Sequence, residues 1–242
     1  MLQQSESVSH DGQGLLHARF DRAWLVVPFL LLLAMLAIPV DLSLARYLQG
    51  IKRWGEFGKL VDLSESFSHG LAVAVLLILV VVLDSRGKKR VWRIASGAYG
   101  GGLLANLVKA LLIARQRPAM ALEREASTAF ATFGSWLPAI SLSRENWRSP
   151  WQSFPSAHTA TAWGLAVVLA YFYPRGRFLF VFLACLASFQ RMKSQSHFLS
   201  DVLAGAAVGC LAGLLVTRWE PANRWFTLRE CKVAPVGRAQ DL

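Results

Sequence analysis

The sequence predicts an all-α polytopic membrane protein, a bundle of six transmembrane helices. Of its 242 residues, 54% are hydrophobic and only 17% are charged, a balance typical of membrane proteins rather than of soluble domains. Six apolar segments follow one another along the chain, with short polar and basic stretches between them. The three cysteines show no disulfide or metal-ligand spacing, so they are interpreted as small packing residues.

Each apolar segment can cross a bilayer as a helix, in some cases with flanking residues added. The predicted spans are 23–40, 70–83, 94–114, 159–173, 178–189 and 202–217. No small-residue cleavage site follows the first segment, which is therefore expected to stay as a span and not be removed as a signal peptide. The glycine triplet in the third span favours close packing inside the bundle.

The distribution of Lys and Arg predicts the orientation. The loop 84–93 carries five basic residues between two spans, and such short basic loops stay in the cytoplasm. The domain prediction is therefore a cytoplasmic N-terminal segment 1–22, a six-helix membrane domain 23–217 and a cytoplasmic tail 218–242. The net charge of +11 is interpreted as this orientation signal. The basic residues are too dispersed to predict a nucleic-acid partner.

Three stretches at outer helix ends contain ionisable residues: KALLIARQRP at 109–118, PSAH at 155–158 and QRMKSQSHFLSD at 190–201. If the outer ends of the helices converge, these stretches meet at one site. His197 and Asp201 are four residues apart, which on a helix would place the carboxylate beside the far nitrogen of the imidazole. This contact would fix the tautomer and leave the other nitrogen as a nucleophile.

The basic residues of these stretches suit a tetrahedral oxyanion. Lys109, Arg117 and Arg191 bring three positive charges, and Arg binds such an anion through two parallel hydrogen bonds. Ser156 adds a hydroxyl group at the start of the fourth span, where backbone N–H groups of a helix N-terminus also bind anions. These groups together predict phosphoryl transfer.

The order K…RP, P-S-x-H and R-x5-H-x3-D resembles the signature of the type 2 phosphatidic acid phosphatase superfamily, the membrane lipid phosphate phosphatases related to vanadium haloperoxidases. The resemblance implies that His197, oriented by Asp201, attacks phosphorus. His158 would protonate the leaving oxygen and then deprotonate the hydrolytic water. It implies neither a metal nor a cofactor. The implied phosphate ligands are Lys109, Arg117, Ser156, Gln190 and Arg191.

The chain departs from the family pattern in three places. Ala157 replaces the usual glycine of the second motif, a small change unless the position needs a positive φ. Gln190 replaces the usual serine that opens the third motif, and its amide can still donate to phosphate. The third departure is an extra residue in the first motif.

Eight steps separate Lys109 from Arg117 where the family usually has seven, which on an ideal helix would turn the two about 80° apart. Pro118 discourages helix at Arg117, so we expect the chain to leave the helix there and absorb the extra residue. Arg115 is the second candidate for this ligand position.

Two outer segments are candidates for recognising the substrate and setting its specificity. The segment 41–70 mixes apolar and basic residues and is expected to form one or two short amphipathic helices in the membrane interface. The loop 119–154 is long and partly apolar, which predicts a lid or a re-entrant piece.

An active site at the outer helix ends predicts a lipid substrate, a phospholipid or polyprenyl phosphate, hydrolysed at the outer face of a bacterial inner membrane. Undecaprenyl diphosphate is the first expectation, with lipid A, phosphatidylglycerol phosphate and phosphatidic acid as alternatives. A lipid phosphotransferase would share every motif, and a non-catalytic transporter or scaffold would share only the spans. No protein partner is predicted.

Overall fold

The computed structural model describes residues 23–51, 53–136 and 149–218, so segment 1–22 and nearly all of the predicted tail lie outside the described residues. Within these ranges the α-helices are α1 Val26–Ala37, α2 Asp41–Gly50, α3 Gly55–Ser64, α4 Gly70–Leu83, α5 Gly87–Leu111, α6 Pro118–Glu123, α7 Ala157–Phe172, α8 Arg177–Lys193 and α9 Leu199–Arg218. Short 3₁₀ turns are Ile38–Val40, Glu65–Phe67, Phe130–Thr132, Ser149–Trp151 and Pro174–Gly176. Strands β1 Ile113–Arg115 and β2 Phe133–Trp136 pair antiparallel, so the fold is mostly helical rather than purely all-α.

Helices α5, α7 and α9 pack so closely that their backbones are in contact, because glycines line the contacts between them. A Cβ atom at Gly101 would lie 2.7 Å from the carbonyl oxygen of Ala160 in α7. Gly209 of α9 approaches the same carbonyl, and Gly164 of α7 approaches the backbone of Gly97. Gly100, by contrast, faces open space. The close packing predicted from the glycine triplet is therefore confirmed for part of it.

Two helical segments of the described chain are long and apolar enough to cross a membrane. They are Val26–Gly50, which joins α1 to α2, and Leu199–Arg218. A third span results if Gly55–Phe67 and Gly70–Leu83, which are bent by 70°, count together. Large apolar side chains on α1, α4 and α8 point outward, as lipid contact requires. The arrangement of six spans remains a prediction.

The segment 41–70 forms two short helices as predicted, α2 and α3. The buried face of α2 contains Leu42 and Ala45, which cluster with Ala121 of α6 and Phe198 before α9. Helix α2 therefore covers the end of the bundle at which α9 begins. Its position in the membrane interface remains a prediction.

Backbone hydrogen bonds connect the first motif, which contains β1, to the residues that precede the second motif. Arg117 N donates to the carbonyl oxygen of Pro150 at 2.8 Å, and Ser153 N donates to that of Arg115 at 3.0 Å. Residues 149–153 therefore run beside the segment that follows α5. The described part of the loop 119–154 packs as α6 and β2, while residues 137–148 lie outside the described chain, so its role as a lid or re-entrant piece remains a prediction.

Candidate active site

His197 lies in the turn between α8 and α9 and is only 3% exposed. Its Nδ1 lies 2.7 Å from the carbonyl oxygen of Ser153. The nearest oxygen of Asp201 is 3.9 Å from Nδ1, too far for a hydrogen bond. Asp201 therefore lies beside Nδ1, as expected, but it makes no hydrogen bond to it, and the two residues do not share one helical face. The physical reason is that α9 begins at Leu199, so His197 precedes the helix.

Ser153 connects Asp201 to His197. The Ser153 hydroxyl donates to Asp201 Oδ2 at 2.6 Å, while its carbonyl accepts from the imidazole. Because a carbonyl can only accept, Nδ1 carries the proton and Nε2 keeps a lone pair. The sequence reasoning missed Ser153, although this hydroxyl residue stands only three positions before Ser156.

Arg115 is fully buried and binds two carboxylates. Its Nη2 lies 2.7 Å from Asp41 and its Nη1 lies 2.6 Å from Asp201. The rings of Phe133 and Phe198 cover the guanidinium, with centroids 4.3 and 4.4 Å from its carbon. The guanidinium of Arg115 is thus fully engaged in buried ion pairs with Asp41 and Asp201. The structure therefore contradicts the expectation that Arg115 could bind the phosphate.

The same network ties α2 to α9. Asp41 accepts from the backbone N–H and the hydroxyl of Ser200, and Thr132 accepts from Arg115 Nε at 3.0 Å. Asp41 was also missed, although a carboxylate at the end of a long apolar run is itself a signal.

Lys109 and Arg117 reach the site from different elements. Lys109 lies in the last turn of α5 and is 8% exposed, whereas Arg117 is extended and precedes α6. The helix ends at Leu111, earlier than Pro118 predicted, so helical spacing does not relate the two side chains. Arg117 Nε is buried and has no hydrogen-bond partner among the described residues. Such a nitrogen suits an anionic ligand.

Positive charge converges on His197. Burial lowers the pKa of His197 well below its usual value, and the charges of Lys109, Arg117 and Arg191 lower it further. The carbonyl of Ser153 acts in the opposite direction. His197 is therefore neutral at physiological pH, as a nitrogen nucleophile must be.

Ser156 caps the N-terminus of α7. Its Oγ accepts from the backbone N–H of Thr159 at 3.3 Å and from the Thr159 hydroxyl at 3.0 Å, which leaves its own hydrogen to donate. Ala157 is the first residue of the helix. Its backbone is helical, so this position does not require the usual glycine.

His158 is the second residue of α7 and is partly buried. It interacts electrostatically with Arg191 and Lys109, and also with Glu65 and His69. The second His of the motifs therefore lies among the same charges that surround His197.

Arg191 and Gln190 are held by Glu65, which the sequence reasoning missed. Arg191 Nη2 donates to one carboxylate oxygen at 2.9 Å, and Gln190 Nε2 donates to the other at 3.1 Å. Gln190 Oε1 in turn accepts from Arg191 Nε at 2.7 Å. No spacing in the sequence relates Glu65 to residues more than 120 positions later.

A family model described as the PAP2 superfamily matches residues 90–225, which is more than half of the chain. The chain belongs to the PAP2 superfamily. This result confirms the family indicated by the three motifs.

A curated relative, the lipid A 1-phosphatase of Rhizobium johnstonii, is 33% identical over 114 residues. That match covers 47% of this chain and 41% of the relative, so the chain spans less than half the length of this relative.

Two crystal structures share the fold. The first is LpxE from Aquifex aeolicus, with a TM-score of 0.54, 21% identity and coverage of 74% of this chain and 96% of that one. The second is the transmembrane PAP2-type phosphatidylglycerolphosphate phosphatase from Bacillus subtilis, with a TM-score of 0.53, 16% identity and coverage of 83% and 96%. The shared fold and the outward-facing apolar helices indicate a membrane protein.

Proposed function

We propose that this PAP2 protein is a metal-independent phosphatase that hydrolyses a lipid phosphate or diphosphate through a phosphohistidine. The observation that carries the proposal is the state of His197. It is neutral, has a fixed tautomer and lies within the field of three cations. A neutral imidazole beside an anion-binding cluster is what in-line attack on a phosphate requires.

In the first step, the lone pair of His197 Nε2 attacks phosphorus and the bond to the lipid oxygen breaks. The negative charge of the bound phosphate favours the protonated form of His158, which gives its proton to that oxygen. The lipid then leaves as an alcohol, or as a monophosphate if the substrate is a diphosphate. Lys109, Arg117 and Arg191, with the Ser156 hydroxyl, stabilise the charge on the phosphoryl oxygens.

In the second step, His158 removes a proton from water and the resulting hydroxide attacks the phosphohistidine. The P–N bond breaks, inorganic phosphate leaves, and His197 recovers its lone pair. The carbonyl of Ser153 holds the imidazole in one tautomer through both steps.

We infer that lipid A is the first substrate to test, because the relative from Rhizobium johnstonii is named a lipid A 1-phosphatase. Undecaprenyl diphosphate, the expectation from the sequence, is tested beside it, together with phosphatidylglycerol phosphate and phosphatidic acid. All four present a phosphate at a membrane surface.

The test measures phosphate release from these four lipids by the purified protein in detergent with EDTA. Matched variants are His197→Ala, His158→Ala and His69→Ala, the last being an exposed His near the site. We expect EDTA-resistant release that His197→Ala and His158→Ala abolish and His69→Ala retains. Release that needs added metal, or that survives His197→Ala, would contradict the mechanism. Product that forms only with an added acceptor alcohol would indicate a phosphotransferase instead.

We also propose that the site faces the extracytoplasmic side of the inner membrane, because of the basic loop 84–93. The test places single cysteines at Ser194, exposed near the site, and at Ser85, exposed in that loop, in a background without native cysteines. A membrane-impermeant maleimide applied to spheroplasts should label the first and spare the second. The reverse pattern would invert the orientation.

A further inference from the structure

Three side chains form a closed set of hydrogen bonds, which we call the Glu65 ring. Glu65 accepts from Arg191 Nη2 and from Gln190 Nε2, and Gln190 Oε1 accepts from Arg191 Nε. Each member therefore contacts the other two. The ring holds the guanidinium plane of Arg191 along one edge.

The ring leaves much of Arg191 available. A guanidinium has five N–H donors, and the ring uses one on Nε and one on Nη2. The remaining donors lie on Nη1 and on the second hydrogen of Nη2, which suffices for two parallel bonds to a phosphate. Within the described part of the chain, Arg191 is thus restrained on one edge by the ring and makes no further hydrogen bond on the other.

Gln190, by contrast, uses its amide oxygen and one of its two N–H donors within the ring. Its oxygen points to Arg191 and its nitrogen to Glu65. An amide used in this way supports its neighbour. This geometry differs from the direct phosphate contact expected from the sequence.

The ring joins distant parts of the fold. Glu65 lies in the 3₁₀ turn where the helical segments Gly55–Phe67 and Gly70–Leu83 meet at 70°, while Arg191 lies in the last turn of α8. The Arg191 side chain is 9% exposed and that of Glu65 is 37% exposed. The carboxylate therefore approaches the site from its rim and the guanidinium lies inside.

We propose that Glu65 and Gln190 are positioning residues that hold Arg191 in the orientation that binds the phosphate, and that Gln190 is not itself a phosphate ligand. This inference rests on the proposed function for its catalytic consequence, but it concerns phosphate binding, which is measurable without turnover. A long, flexible Arg loses rotamer entropy when it binds, and a restraint made in advance reduces that loss.

The first experiment is a double-mutant cycle between Gln190→Leu and Arg191→Ala. Gln190→Leu breaks two bonds of the ring without changing any charge. Binding of inorganic phosphate to the detergent-solubilised protein is measured by calorimetry, and kcat and KM are measured on the lipid that the wild type hydrolyses best. We expect Gln190→Leu to weaken phosphate binding and lower kcat/KM about tenfold, and to have no further effect in Arg191→Ala. An equal loss in both backgrounds would show direct contact of Gln190 with phosphate and overturn the proposal.

The second experiment compares Glu65→Gln with Asp62→Asn. Asp62 is a carboxylate on α3, the helix that leads into the Glu65 turn, and it pairs with Lys193 of α8 at 2.7 Å outside the ring. We expect Glu65→Gln to lower kcat/KM at least tenfold and Asp62→Asn to leave it unchanged. Equal losses would indicate general loosening between α3 and α8. Faster turnover in Glu65→Gln would mean that the carboxylate competes with phosphate, and would likewise overturn the proposal.

Failure of this inference is distinguishable from failure of the proposed function. A wild-type protein that binds phosphate through the coupled ring but releases none from any lipid would contradict the phosphatase and leave the ring intact. A wild-type phosphatase that is indifferent to Gln190→Leu would contradict the ring alone.

Discussion

His197 donates from Nδ1 to the carbonyl oxygen of Ser153 at 2.7 Å, and the Ser153 hydroxyl donates to Asp201 at 2.6 Å. The carboxylate is therefore connected to the His197 imidazole through an intervening serine. Asp201 also accepts from the backbone N–H of Phe198 at 2.8 Å, which restrains the turn that carries His197.

Ser153→Ala should lower kcat about tenfold to 100-fold, because a hydrogen bond to a charged group is worth about 1.5–3 kcal/mol. The carbonyl remains but loses the hydroxyl that holds it in place. Ser153→Thr, which keeps the hydroxyl, should recover part of the activity. The variants are compared by steady-state kinetics with folded, monodisperse protein. A Ser153→Ala enzyme with wild-type kcat would disprove that Asp201 orients His197 through Ser153.

Arg115→Met should destabilise the protein by about 3–5 kcal/mol, because it leaves the buried carboxylates of Asp41 and Asp201 without their cation. Arg117→Ala, two residues away, should leave stability nearly unchanged and lower activity to a reduced but measurable level. Thermal unfolding in detergent and phosphate release separate the two effects. Similar unfolding temperatures for both variants would show that the ion pairs contribute little.

Gly209→Ala should destabilise the bundle by about 1–3 kcal/mol, because its new methyl group would press on the backbone of α7 at Ala160, which cannot rotate away. Gly100→Ala is the matched control on α5, since a Cβ there meets nothing within 4 Å. Alanine favours helix over glycine by about 0.5–1 kcal/mol, so the control should be neutral or slightly stabilising. Folded yield and unfolding temperature are the measurements. Equal behaviour of the two variants would contradict close packing.

The pH dependence of kcat/KM should show an acid limb for His197 well below the usual pKa of histidine, because burial and nearby cations disfavour its charged form. Arg117→Ala removes one of those cations, which raises the pKa and moves the limb to higher pH. Lys59→Gln, an exposed site on α3, makes the same charge change as a control. Using one substrate for all three proteins cancels its own titration. An unmoved limb in Arg117→Ala would contradict the assignment.

The same shift has a consequence for stability. The folded protein holds His197 with a lower pKa than the unfolded chain, so the unfolded chain takes up the proton first as the pH falls. The stabilising contribution of neutral His197 is present above the usual histidine pKa of about 6.5 and is lost as the pH falls below it. The free energy of unfolding of His197→Gln should therefore fall less than that of the wild type as the pH is lowered below about 6.5.

Elements with a local signal were predicted well from the sequence. The segment 70–83 coincides with α4, and the segment 178–189 lies within α8, because a continuous apolar run specifies a helix by itself. The boundaries of α5 were less accurate. This helix begins at Gly87 inside the basic loop and ends at Leu111, where the chain enters β1. Pairing with β2, about twenty residues later, is not visible in local sequence.

The two arginines of ARQRP show why spacing alone was insufficient. Arg115 and Arg117 have the same side chain and lie two residues apart, yet only one is enclosed by carboxylates. Which of them is enclosed depends on Asp41 and Asp201, which are 74 and 86 positions away. The spacing of residues within a motif carries no information about partners so far away in the sequence.

By itself the sequence determined the family, the predominance of helix, which it predicted as an all-α fold, and the residues of the three motifs. Periodicity, apolar length and motif spacing are properties of neighbouring positions. Only the tertiary structure decided how those residues are supported. It placed Ser153 between Asp201 and His197, enclosed Arg115 in a buried ion pair, and set Glu65 against Gln190 and Arg191. These contacts depend on where separate helices and strands end and meet, and that geometry is fixed by packing of the whole chain.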